Sequence, residues 1–173
     1  MLRLSCRTDI ENMQTLKIAL LILGSVILQI TLVAKISMFG GRPDLPLALI
    51  VSVALLKGSL HGGLVGFTAG LLCDLFSEGP LGIQSFSGVV IGYCTAFVSA
   101  RLYSDSFITQ AMSGFIAALA SKVITSIHLS LLLGDLRLLH TRFPGLILAA
   151  MLNSVFVIPI FFVLRRFVYR RKT

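Results

Sequence analysis

Long apolar runs, separated by short polar or Gly/Pro-rich breaks, organise this chain and predict six helices. The runs cover about residues 16–39, 45–60, 63–76, 83–102, 107–133 and 146–164. The first is followed by GGRPDLP, the third by SEGPLG and the fifth by GDLRLLHTRFPG, while Lys57 and His61 mark the turn between the second and third. A helix needs about 20 residues to cross a hydrocarbon layer of about 30 Å. The second and third runs are short for that, so a re-entrant hairpin stands as an alternative to two full spans. The predicted fold class is an all-α membrane protein, a single integral membrane domain over 1–173 with six transmembrane helices and short loops.

Inside the third run, GGLVGFTAGLLCD sets Gly62, Gly66, Gly70 and Asp74 four residues apart. On a helix they form one ridge with no side chain until the carboxylate, so another backbone can approach closely. Gly62, Gly66, Phe67, Gly70 and Asp74 are therefore the candidate helix-packing or partner interface. An unpartnered carboxylate at mid-membrane costs roughly 2.5–3.5 kcal/mol. Further small-residue rows follow at the same spacing: Gly88, Gly92, Ala96 and Ala100; Ser113, Ala117, Ser121 and Thr125; Gly145, Ala149 and Asn153. Packing within the bundle is the ordinary use of such rows, and several of them leave room for one to meet an external partner.

Composition agrees with a membrane-embedded chain. Its 173 residues are 56% hydrophobic and 13% charged, with a mean hydropathy of +0.96, too little polar surface to cover a water-exposed exterior. Six spans leave no room for a separate soluble catalytic domain. The net charge of +8 does not point to nucleic acid, because Arg165, Arg166, Arg170, Arg171 and Lys172 lie together after the last apolar run. Placed there, they are a cytoplasmic anchor that also attracts anionic lipid head groups. With both termini inside, ten basic residues fall on inner segments and four (Lys35, Arg42, Arg137, Arg142) on outer ones. The apolar stretch Ile18 to Val33 is followed by no small-residue cleavage pattern, so an uncleaved first span is expected. Cys73 and Cys94 lie in apolar runs and Cys6 in the N-terminal tail, which is no disulfide framework.

Candidate chemistry is sparse. Polar residues inside the runs are Gln29, Asp74, Lys122, His128 and Asn153 with scattered hydroxyls, and no His, Cys or carboxylate set has metal-ligand spacing. Neither a nucleophile elbow nor a phosphate loop is present, so no enzyme, cofactor or metal is predicted. One intramembrane ion pair is possible. Asp74 lies about 16 Å along its helix and Lys122 about 22 Å along the fifth, at 1.5 Å per residue. Those depths are close enough to pair.

Taken in order, PDLPLALIVSVAL (Pro43 to Leu55), GLVGFTAGLLCDLFSEGPLGIQSF (Gly63 to Phe86) and IGY (Ile91 to Tyr93) resemble the MreD family of rod shape-determining membrane proteins. Length, Leu28-Gln29 in the first span and the basic C-terminus extend the likeness. The resemblance implies a noncatalytic bacterial inner-membrane component of the cell-elongation complex, with both termini cytoplasmic. Its implied partners are MreC and, through it, MreB, RodA and the transpeptidase partner of RodA, in support of peptidoglycan synthesis and cell shape. It gives Pro43, Asp44, Gly79, Pro80 and Gly82 the role of a loop motif and makes Asp74 a buried structural anchor. The implied fold is similar to the substrate-binding subunits of energy-coupling-factor vitamin transporters, and such a subunit is the alternative function. Those subunits often carry an Ala-x-x-x-Ala pair in the first span, whereas Ala19 and Ala34 here are too far apart.

Overall fold

A computed structural model describes residues 2–33, 43–77, 81–99, 106–133 and 146–168, and every regular element among them is helical. Helix α1 spans Leu2–Leu28 and passes into a π turn at Gln29–Val33. Then come α2 (Leu45–Lys57), α3 (Ser59–Phe76), α4 (Ile83–Ser99) and α5 (Phe107–Leu133). The last, α6, spans Leu146–Val163 and also runs into a π turn, at Leu164–Val168. Gly79, Pro80, Ala100, Gly145, Arg170, Arg171 and Lys172 lie outside the described residues.

Two boundaries differ from the sequence expectation. α1 begins at Leu2 rather than near residue 16, because LRLSCRTDIENM contains no glycine or proline to stop a helix; its apolar part starts only at Met13. The turn between α2 and α3 is the single residue Gly58, not a break around His61. Gly58 has φ 90° and ψ −177°, a conformation essentially confined to glycine.

Four helices are long and apolar enough to cross a membrane, namely those carrying Met13–Thr31, Ser59–Phe76, Phe107–Leu132 and Ile147–Arg166. The apolar helices Leu45–Lys57 and Ile83–Phe97 are shorter. At 13 residues, α2 is about 20 Å long, less than a hydrocarbon layer. Its sequence is apolar all round, as suits a helix enclosed by protein, and every residue from Leu45 to Leu55 is buried. One face of α2 (Leu47, Ala48, Val51, Leu55) packs with Ile91 of α4, Ala117 and Ala118 of α5, and Val157 and Phe161 of α6. Another face (Leu49, Ile50, Val53) packs with Ile18, Ile22 and Val26 of α1, Ala69 of α3 and Leu164 of the last π turn. The two cores share α2 as their common wall.

Beside this centre, α3 and α4 form an antiparallel hairpin whose backbones touch. Gly62 faces Gly92, Gly66 faces Gly88, and Gly70 faces Gln84 and Ser85, so the pairs close in toward Ser77. A Cβ added at Gly62 would lie 2.6 Å from the Gly92 carbonyl oxygen and 2.7 Å from the Ala54 Cβ. At Gly66 or Gly88, an added Cβ would run into the carbonyl of the other. These obstacles are main-chain atoms and the Ala54 Cβ, none of which can rotate away. The opposite face of α3, with Leu60, Leu64, Phe67, Leu71 and Leu75, is exposed.

Gly66→Leu should therefore force α3 and α4 apart. Overpacking typically costs about 1–3 kcal/mol, and backbone obstruction puts this variant at or above the upper end. Thermal unfolding in detergent checks it. A sharp fall in midpoint is expected for Gly66→Leu and little change for the outward Leu64→Ala. Equal midpoints would contradict the contact.

Candidate functional site

Gln29, Asp44, Asp74 and Asn153 converge on the starts of two helices. A helix leaves its first backbone N–H groups without intrahelical partners, and an apolar surrounding offers no water to satisfy them. At the start of α2, Asp44 is the N-cap and its carboxylate accepts from the Leu47 N–H at 3.2 Å. Pro46 has no N–H to satisfy. Gln29, the first residue of the π turn of α1, completes the set with both ends of its amide. Its Oε1 accepts from the Leu45 N–H at 3.0 Å, and its Nε2 donates to the Pro43 carbonyl at 2.9 Å. From α6, Asn153 Oδ1 accepts from the Asp44 N–H at 2.7 Å. Residues from three helices thus hold one helix start.

Asp74 holds the start of α4 in the same way. Each glycine of the ridge meets backbone of α4, and the next step of four runs past the first residue of that helix. Asp74 Oδ2 accepts from the Gly82 and Ser85 N–H groups, both at 3.0 Å, and from the Ser85 hydroxyl at 2.8 Å. Its Oδ1 accepts from the Gln84 N–H at 3.0 Å. The side chain is buried, at 2% exposure, and its negative charge sits against the positive end of the α4 dipole. Gly82, at φ 99°, makes the turn that brings these groups round the carboxylate.

This arrangement corrects two expectations. The Asp74–Lys122 ion pair does not form, because both carboxylate oxygens are committed to the start of α4. Lys122 is half-buried on α5, which packs on α2, α4 and α6, whereas α3 packs on α1, α2 and α4. Depth along a helix gave no information about which helices are neighbours. The glycine ridge is likewise covered by α4 and does not offer itself to a partner. Of the residues expected at that interface, Phe67 points outward at 48% exposure, and Gly62, Gly66, Gly70 and Asp74 are buried.

The remaining candidates are dispersed. His128 has its Nδ1 3.1 Å from the Ile124 carbonyl and its ring beside Phe86, with centroids 5.1 Å apart. Arg165 and Arg166 stand exposed in the last π turn. Among the described residues, no three His, Cys, Asp or Glu side chains gather where a metal ion could bind. The roles of Gln29 and Asn153 escaped sequence reasoning. Asp44-Leu45-Pro46, an N-cap residue with proline in the first turn, was the available signal for a helix start needing support.

Taken together, these features define an all-α membrane protein with four candidate spans, in which Gln29, Asp44, Asp74 and Asn153 hold the backbone at two helix starts. A profile of the family described as rod shape-determining protein MreD matches residues 10–167, from α1 to the last π turn, and the chain belongs to that family. No curated protein and no solved structure matches the chain significantly.

Asp74→Ala should lower the unfolding midpoint strongly, because the two buried donors of Ser85 lose their acceptor at about 1–3 kcal/mol each, and the Gly82 and Gln84 N–H groups lose theirs as well. Lys122→Gln should leave it nearly unchanged. Combining Asp74→Lys with Lys122→Asp should be no more stable than Asp74→Lys alone. Recovery of stability in the double variant would restore the ion pair and remove the cap.

Proposed function

We propose that this protein is a noncatalytic scaffold of the bacterial cell-elongation complex, binding MreC in the inner membrane in support of peptidoglycan synthesis. The observation that carries this reading is the MreD family match over residues 10–167, which gives the chain a role in rod shape determination. Consistent with a scaffold, the buried Asp74 and Asn153 and the half-buried Gln29 are engaged with backbone. In this reading both termini are cytoplasmic, with Arg165, Arg166 and the basic residues after them on that side. Through MreC the protein joins MreB, RodA and the transpeptidase partner of RodA.

With the glycine ridge closed by α4, the docking face is an outward one. The row Leu60, Leu64, Phe67, Leu71 and Leu75 on α3 is apolar and exposed, and Phe67 is its largest side chain. A single transmembrane helix packed along this row would leave the α3–α4 contact intact.

Pull-down from native membranes tests both levels. MreC is expected with the wild-type chain, and Phe67→Ala is expected to reduce its recovery without changing the unfolding midpoint. Full recovery of MreC with Phe67→Ala would move the interface elsewhere. Isolation of an ATPase module without MreC would overturn the scaffold and favour a transporter subunit.

A further inference from the structure

The start of α5 and the end of α6 meet on one side of the bundle, and two rings mark the place. Phe107, the first residue of the apolar span of α5, stacks on Phe162 of α6 with ring centroids 6.0 Å apart and planes 14° from parallel. That is an ordinary stacking distance for an aromatic pair. Yet Phe107 is 58% exposed and Phe162 51%, so the pair covers little of itself and presents its surface outward. Ile108 and Val163, the next residues on the two helices, are exposed as well. Two helices thus share one apolar platform.

Charge begins one turn further on. Arg166 follows Phe162 by four residues, stands exposed in the last π turn and closes the apolar span Ile147–Arg166. Residues four apart on a helix are neighbours, with Cβ atoms about 5–6 Å apart, so Arg166 carries the Phe162 face out of the apolar layer. A guanidinium offers a planar fork of donors that fits two phosphate oxygens at once. An apolar platform with a guanidinium at its polar edge has the chemistry of a phospholipid, chain on one part and phosphate on the other. A soluble anion would use the arginine and leave the rings idle.

We propose that Phe107, Phe162 and Arg166 form a discrete site for one anionic phospholipid of the leaflet at which α6 ends. The Arg166 guanidinium donates to the phosphate oxygens, and an acyl chain packs on the two rings. The site differs from the general attraction that a basic C-terminus exerts on anionic head groups, because that attraction asks nothing of α5. It lies on α5 and α6, separate from the α3 row proposed for MreC, and does not depend on that reading.

The test is native mass spectrometry of the full-length chain in a neutral detergent, titrated with phosphatidylglycerol and with phosphatidylcholine of the same acyl chains. The wild type should retain phosphatidylglycerol better than phosphatidylcholine. Arg166→Gln should weaken phosphatidylglycerol binding about fivefold, the factor one basic side chain contributes to anionic-lipid affinity. Arg166→Lys should weaken it less. Phe107→Ala, which leaves the charge unchanged and lies on the other helix, should also weaken it, whereas Arg171→Gln in the C-terminal tail should not. Arg166→Gln and Phe107→Ala should unfold at the wild-type midpoint in detergent alone; if Phe107→Ala does not, Phe107→Leu takes its place. Equal retention of the two lipids by the wild type would overturn the proposal. So would undiminished binding in Arg166→Gln or in the folded Phe107 variant, equal losses in Arg166→Gln and Arg171→Gln, or displacement of the lipid by inorganic phosphate.

Discussion

The rest of the structure depends on the closeness of the α3 and α4 backbones. Helices usually stand about 8–10 Å apart because side chains fill the gap. Here Gly62, Gly66 and Gly70 meet Gly92, Gly88 and the Gln84-Ser85 backbone with nothing between them. In an apolar solvent, no hydrophobic force drives helices together, and close van der Waals contact replaces it. That contact also fixes register. With α4 locked against the glycines, its first N–H groups fall opposite the next position of the same ridge, where Asp74 accepts them. One spacing rule in the sequence thus sets a packing distance, a register and a cap.

A second constraint, complete use of backbone polar groups, explains the odd dimensions of α2. A helix of 13 residues does not bridge a bilayer and must start or end inside it. The N–H groups at its start would be costly there if left open. Gln29, Asp44 and Asn153, on three separate segments, supply the acceptors and tie α1 and α6 to α2 as they do so. The π turn at Gln29 belongs to this solution, since the amide that opens it spans the Pro43 carbonyl and the Leu45 N–H. Enclosed on all sides, α2 then serves as the wall shared by both apolar cores.

Much of this was legible before any coordinates. Apolar period and Gly/Pro breaks marked the helices, and the four-residue glycine spacing identified a face without side chains. What the spacing left open was the identity of the other side. A ridge that accepts a backbone does so equally for a helix of the same chain or of another, and only the antiparallel return through Gly82 decides it. Asp74 is legible as costly, but sequence offers only opposite charges such as Lys122 as partners, whereas the N–H groups at the start of α4 are the ones that reach it. Gln29 and Asn153 act across 16 and 109 residues of sequence, and local pattern carries no such pairing. The start of α1 went unread because an apolar window ignores helical residues that are polar.

For a member of the MreD family, the consequence is a division of labour within one hairpin. The inner face of α3 builds the protein, and its outer face, with Leu60, Leu64, Phe67, Leu71 and Leu75, is exposed and is the one proposed to meet a partner. Asp74 holds the start of α4 in the register set by the glycines. Residue-resolved amide exchange of the full chain tests it most directly by comparing wild type with Asp74→Asn. Strong protection of Gly82, Gln84 and Ser85 is expected in the wild type, with selective loss at those three amides in the variant and α5 and α6 unaffected. Fast exchange at these amides in the wild type, or no change in the variant, would contradict it.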